Sequence, residues 1–213
     1  MTSKLEQPSD RGSFFKTLGT LFAGFVAEKV EGALEGMGPK LLRPPGAVGE
    51  LAFLTECTRC DRCIQACPQG SLVRAPASAG LAMGTPQLVP RAMPCYLCET
   101  FPCIAACPEK ALEWPQLKTE AGALIKGPEA VRIGVAQLKR SRCLAFPTAS
   151  RPAQPCRVCL DRCPYPDAAL AIREQNDGAP PRPEVAEEKC TGCGLCEFAC
   201  PAPLPGIVVR TRL

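Results

Sequence analysis

Sixteen cysteines fall into four quartets with none left over, and every quartet ends in Cys-Pro. The first is Cys57, Cys60, Cys63 and Cys67, spaced C-x2-C-x2-C-x3-C-P. The fourth repeats that spacing with Cys190, Cys193, Cys196 and Cys200. Between them lie Cys95, Cys98, Cys103 and Cys107, with x4 at the second gap, and Cys143, Cys156, Cys159 and Cys163, with x12 at the first. The regular run is the bacterial ligand set of a [4Fe–4S] cluster, and its last cysteine characteristically serves the other cluster of a pair. Four runs therefore imply four [4Fe–4S] clusters in two pairs, with all sixteen cysteines as iron ligands.

The spacing has a physical basis. Three thiolates at short intervals on a tight loop face one corner of a cubane, and backbone N–H groups around such loops stabilise the anionic cluster. The fourth cysteine is expected at the start of a helical turn that points away, with proline setting φ in the first turn. Zinc sites of four cysteines use two distant C-x2-C pairs, a poor match to triplets at x2 intervals. Disulfides fit poorly with recurring local quartets. The chain has no histidine, which removes Rieske-type ligation, histidine-ligated haem and His-based general-base chemistry. With iron saturated by thiolates, no open coordination site for catalysis is evident, and no catalytic residue is identified.

The chain has 213 residues, 5% aromatic, with 24 prolines and 18 glycines. A core of large side chains is thin, so cluster bonds are expected to supply folding energy and the apo-protein to be largely unfolded. The net charge of +4 is mild, with no basic stripe carrying interleaved aromatics, so nucleic acid binding is unsupported. No apolar run reaches the length of a membrane span.

The organisation is read as three parts. Residues 1–37 form a polar tail and an amphipathic helix, 38–49 an extended linker, and 50–210 a four-cluster region with units at about 50–75, 86–118, 130–174 and 183–210. From Ser13 to about Gly36, Phe14, Phe15, Leu18, Leu21, Phe22, Phe25, Val26, Val30 and Leu34 recur at helical spacing. That stripe either docks on a membrane surface or partner, or packs on its own domain. The linker reading rests on Gly-Pro-Lys-Leu-Leu-Arg-Pro-Pro-Gly-Ala-Val-Gly. Strands are expected at 87–89, 132–138 and 206–209. The fold class is α+β: tandem ferredoxin-like two-cluster domains built from four half-ferredoxin repeats. The insertions Glu99-Thr100-Phe101-Pro102 and 144–155 are expected at the surface, either as partner contacts or as tolerated loop growth.

Five stretches carry a family resemblance: Leu-Leu-Arg-Pro-Pro-Gly-Ala (41–47), Phe-Leu-Thr-Glu-Cys-Thr-Arg-Cys-Asp-Arg-Cys (53–63), Pro-Cys-Tyr-Leu-Cys-Glu-Thr-Phe-Pro-Cys (94–103), Arg-Ile-Gly-Val-Ala (132–136) and Cys-Thr-Gly-Cys-Gly-Leu-Cys-Glu (190–197). In these the chain resembles the NapG/MauM-type ferredoxins, accessory iron–sulfur proteins of periplasmic nitrate reductase and methylamine-utilisation systems. The resemblance spans about residues 41–210. It implies electron transfer between a quinol-linked membrane partner and a catalytic oxidoreductase, with no enzymatic activity of its own. Alternatives are an iron–sulfur subunit of a larger oxidoreductase and a maturation factor for one. Exported members carry a twin-arginine signal; here Asp10-Arg11-Gly12-Ser13-Phe14-Phe15-Lys16 has glycine for the second arginine. The expectation is a cytoplasmic protein, peripheral at the membrane through residues 13–36, with periplasmic export as the alternative.

Two pairings of the motifs are open. Adjacent pairing joins one to two and three to four. Nested pairing joins one to four and two to three, matches regular with regular, and is slightly preferred.

Overall fold

The computed structural model describes residues 41–212 apart from 121, 176, 177 and 179. The expected tail, the amphipathic helix and the start of the linker lie outside the described residues. None of the described helices is long and apolar enough to cross a membrane.

The N-terminal half opens with α1 (Glu50–Glu56), the first cysteine loop and α2 (Arg62–Ala66). The chain then forms β1 (Leu72–Arg74), which pairs antiparallel with β2 (Pro86–Leu88) in the register Leu72↔Leu88. The second cysteine loop leads into α3 (Pro102–Ala105), which packs against α2. Beyond it, Leu112 returns to bridge Ala47, so the half closes on its own entry strand. An outlying hairpin follows, β3 (Gln116–Lys118) with β4 (Leu124–Lys126), mostly exposed.

The C-terminal half repeats the plan with longer strands. It runs through β5 (Val135–Leu138), the third cysteine loop, α4 (Val158–Asp161) and β6 (Leu170–Arg173). It continues with β7 (Arg182–Val185), the fourth loop, α5 (Leu195–Phe198) and β8 (Ile207–Arg210). β6 pairs with β7, and β8 returns antiparallel to β5 with Ala136↔Val209. The β-branched run Ile207-Val208-Val209 is fully buried, as suits a strand covered on both faces. The expected strands at 87–89, 132–138 and 206–209 are thus present with shifted ends. Each helix is too short to hold by propensity and depends on packing. One continuous core includes Phe53, Phe101, Val131, Ile207 and Val209 together with seven of the cysteines. Each such apolar side chain contributes about 1.5–3 kcal/mol on burial.

Three local expectations need correction. Residues 41–49 are not a free linker. Leu42 to Pro45 are buried, Leu88 N–H donates to Leu42 O at 2.7 Å, and Glu113 N–H donates to Gly46 O at 2.7 Å. Arg43 lies under the fold, over the Phe53 ring at 4.7 Å, donating to Glu50 Oε2 at 2.8 Å, Thr85 Oγ1 at 2.8 Å and Pro86 O at 3.1 Å. The Pro-Gly composition that reads as a spacer is here a short edge segment locked by an arginine. Second, the Cys-Pro step closes a helix rather than opening one. Cys67 is the C-cap of α2 with extended backbone, φ −73 and ψ 111, and Pro68 follows it. Proline cannot continue a helix and drives the preceding residue out of the α region. Third, the x4 insertion is not a surface loop throughout: Phe101 is 1% exposed and meets Trp114 edge-on at 5.2 Å between centroids.

Candidate iron–sulfur site

All sixteen cysteines are free thiols, so no disulfide competes for them. Their neighbours define the grouping. Burial pushes the Cys103 thiol up to about 11, and Cys67 beside it adds to the rise. Burial likewise pushes Cys63 up to about 12, with Cys57 and Cys107 contributing. In the other half, burial raises Cys143, helped by nearby Cys156 and Cys200. Cys196 is driven well up by burial, with Cys193, Cys190, Cys159 and Cys163 around it. Two clefts show the same groups: one is lined by Cys67, Cys95, Cys98 and Cys103, the other by Cys163, Cys190, Cys193 and Cys196.

Motif one therefore meets motif two, and motif three meets motif four. The nested pairing is overturned. Its reason was loop length, but insertions in ligand loops do not set which halves pair. Strand pairing does: the short path from β1 to β2 folds motif two onto motif one, and β6–β7 with β5–β8 fold motif four onto motif three. In both pairs the last cysteine lies among the first three of its neighbour.

The loops are built to turn backbone N–H groups toward sulfur. Left-handed residues recur at matching places: Arg59 and Asp61 in the first loop, Leu97 and Phe101 in the second, Gly192 and Gly194 in the fourth. Such turns create concave sets of N–H donors that favour anions. Direct N–H to Sγ bonds run from Ser71 to Cys67 at 3.4 Å, Ala136 to Cys190 at 3.5 Å and Gly206 to Cys200 at 3.3 Å. Burial raises the Cys193 thiol, while the Leu195 N–H and the Thr191 hydroxyl pull it back by bonding its sulfur. Bare, these buried thiols hold their protons at neutral pH; binding iron expels them.

The donor set fits a cubane and not a single ion. Among the described residues no three His, Cys, Asp or Glu side chains form a group that could hold one metal ion. The quartets nonetheless face each other across clefts. These facts agree if the thiolates stand at the corners of a cluster, since ligands of one zinc must all lie within about 2.3 Å of one point.

The two halves meet where the second and fourth loops touch. Cys95 N–H donates to Cys193 O at 2.8 Å. Arg91 Nη1 donates to Glu197 O at 3.0 Å, Phe198 O at 3.1 Å and Cys200 O at 3.0 Å, clasping the end of α5. Glu197 is itself buried, and its Oε2 accepts from Val209 N–H at 2.6 Å, tying α5 to β8. Sequence reasoning singled out neither Arg91 nor Glu197; both act on backbone groups, which leaves no spacing signature.

Comparison with known proteins agrees. A family model described as a 4Fe-4S dicluster domain matches residues 56–111, and one described as a 4Fe-4S binding domain matches 181–202. The dicluster match encloses motifs one and two together. The chain is 36% identical over 200 residues to the ferredoxin-type protein NapG of Escherichia coli (strain K12), across 91% of this chain and 80% of that protein. It is 36% identical over 167 residues to the methylamine utilization ferredoxin-type protein MauM of Paracoccus denitrificans (strain Pd 1222), across 76% and 67%. The chain belongs to the NapG/MauM family of ferredoxin-type proteins. This family member is an iron–sulfur electron-transfer protein of α+β, ferredoxin-like fold. Ferredoxin-type protein NapF of Escherichia coli (strain K12) is also similar, 34% identical over 160 residues, across 75% of this chain and 80% of that protein. No solved structure matches.

Proposed function

We propose that this chain is a non-catalytic electron carrier with four [4Fe–4S] clusters arranged as a wire. Bound clusters supply one-electron redox chemistry; the chain holds, spaces and shields them. Cys57, Cys60, Cys63 and Cys107 hold the first cluster, and Cys95, Cys98, Cys103 and Cys67 the second. Cys143, Cys156, Cys159 and Cys200 hold the third, and Cys190, Cys193, Cys196 and Cys163 the fourth. The observation that carries this reading is the reciprocal placing of Cys67 and Cys107, and of Cys163 and Cys200, in the neighbouring loop. The half-ferredoxin unit is thereby used four times.

The contact between Cys95 and Cys193 supports a conduction order. The second and fourth clusters sit at the middle, and the first and third form the ends. Electrons then pass between a quinol-linked membrane partner at one end and a redox enzyme at the other. Residues 13–36, by their apolar stripe, bring the carrier to the membrane face, and the cytoplasmic side is the location this reading adopts.

The test is anaerobic purification with iron and acid-labile sulfide analysis. Each is expected near about sixteen per chain, four per cubane, with reversible reduction of all four centres. Saturation near about eight irons, or full loading with zinc, contradicts the proposal.

A further inference from the structure

The third cysteine loop differs from the others in charge. Residues 139–162 carry Lys139, Arg140, Arg142, Arg151, Arg157 and Arg162 against one carboxylate, Asp161. Residues 98–113, around the second loop, carry Glu99, Glu109 and Glu113 against Lys110. Asp161 is already engaged by Arg157 at 2.9 Å. Among the described residues, Arg140, Arg142, Arg151 and Arg162 form no ion pair.

A second observation separates this from an ordinary solvated face. The x12 insertion carries Phe146 at its fold, and two guanidinium groups stand over that one ring, Arg140 at 5.6 Å and Arg182 at 5.3 Å. Arg151 braces the loop by donating to Cys143 O at 2.7 Å. The Nε groups of Arg151 and Arg182 are buried without a hydrogen-bond acceptor among the described residues. Like charges gathered on one ring disfavour each other unless an anion stands between them.

We propose that the enlarged third loop is a docking face for an acidic surface of a redox partner protein, whose carboxylates meet Arg140 and Arg182 beside the terminal cluster of Cys143, Cys156, Cys159 and Cys200. This rests on the electron-carrier reading. The loop that carries three ligands of an end cluster also carries the charge, so docking and electron exchange share one place. Phe146 is the loop's single aromatic residue, which gives no stacking platform for nucleobases.

The experiment uses the full-length holoprotein reduced with dithionite and an acidic flavodoxin-type protein as the probe acceptor. Stopped-flow transfer rates are measured at about 20 mM and about 500 mM salt, where screening differs several-fold in range. Arg140→Glu/Arg182→Glu is expected to slow the low-salt rate by about ten-fold or more, with the difference closing at high salt. Arg140→Lys/Arg182→Lys restores most of the rate. Lys118→Glu/Lys126→Glu on the exposed β3–β4 hairpin makes the same change in net charge and is expected to stay within about two-fold of the parent. Equal slowing by both charge-reversed doubles overturns the proposal, because net charge alone then explains it. A salt-independent rate also overturns it, as does sensitivity confined to vesicles of anionic lipid or to single-stranded RNA. Arg140→Gln/Arg182→Gln serves if the Glu double loses iron. Iron content and dithionite-reducible spectra of the parent report separately on the electron-carrier reading.

Discussion

The two halves of this molecule do the same work with different materials. The C-terminal half closes by strands: four residues pair between β5 and β8, and four between β6 and β7. The N-terminal half pairs three residues between β1 and β2, and its outer closure is a single bridge, Ala47↔Leu112. Side chains compensate. Arg43 ties the entry segment to Glu50 and Thr85, and Arg59 reaches the carbonyls of Met83 and Leu81, each at 3.0 Å. Arg74 bonds Asp61 and holds its carboxyl below the usual range.

The same contrast runs through the cysteine loops. The left-handed positions are glycines in the fourth loop but Arg59 and Asp61 in the first. The fourth loop is pressed from outside: a Cβ on Gly192 would lie 2.3 Å from Gly134 N, and one on Gly194 would lie 2.5 Å from Pro90 Cβ. The first loop opens to solvent, with Cys60 exposed, whereas Cys190, Cys193 and Cys196 are buried. Close packing demands glycine in the fourth loop, whereas the first and second loops carry side chains in the left-handed region, Arg59, Asp61, Leu97 and Phe101, at a strain of about 1–2 kcal/mol per residue.

The largest effect expected from this comparison is at Gly192. Gly192→Val drives a side chain into the Gly134 backbone, so the fourth cluster and the contact between halves are lost together. Iron should fall by at least about a quarter, one cubane in four. Arg59→Gly at the matching place keeps full iron, since it relieves strain and gives up only exposed hydrogen bonds, to the carbonyls of Cys57, Leu81 and Met83. Iron analysis of the two variants side by side checks this, and equal losses would erase the distinction between the fourth loop and the first.

Next in size is sensitivity to oxidant. The first cluster, with Cys60 exposed, is expected to degrade before the fourth under controlled air exposure. Following the loss by EPR, with each signal assigned through cysteine variants, sharpens the comparison. Loss of the Cys190-group signal first would reverse it.

A smaller effect is expected at Arg91, which joins the halves. Arg91→Ala removes its bonds to the carbonyls of Glu197, Phe198 and Cys200 and weakens docking of the halves by about 1–2 kcal/mol. All clusters remain, while electron exchange between the second and fourth slows. Pulsed reduction followed by time-resolved absorbance measures that step, and an unchanged rate would mean that Arg91 does not set the spacing.

Much of this molecule is legible in the cysteines because the proposed ligation is local: the first three cysteines of motifs one, two and four each fall within nine residues, and only the third motif spreads them over 143–159. What the spacing does not carry is which loops meet. That depends on β1 returning through residues 75–85 to β2, a pairing of short segments with weak individual signals. Arg43 was hidden by its Pro-Gly surroundings, and Phe101 by its place in an insertion. The hairpin at 116–126 also went unread, since its strands are half exposed and project from the core. Arg91 and Glu197 bind backbone groups far away in sequence, where no motif marks them.

The reciprocal crossing of the last cysteines is the centre of this account, and single variants test it most directly. Cys63→Ala, Cys67→Ala, Cys95→Ala and Cys190→Ala are prepared anaerobically, and the signal each loses is compared by EPR after reduction. Cys67→Ala is expected to lose the same signal as Cys95→Ala, and Cys63→Ala a different one, although Cys63 and Cys67 are four residues apart. If Cys67→Ala instead shared its lost signal with Cys63→Ala, each motif would hold its own cluster. If it shared that signal with Cys190→Ala, the halves would be nested, and either result would contradict the paired fold described above.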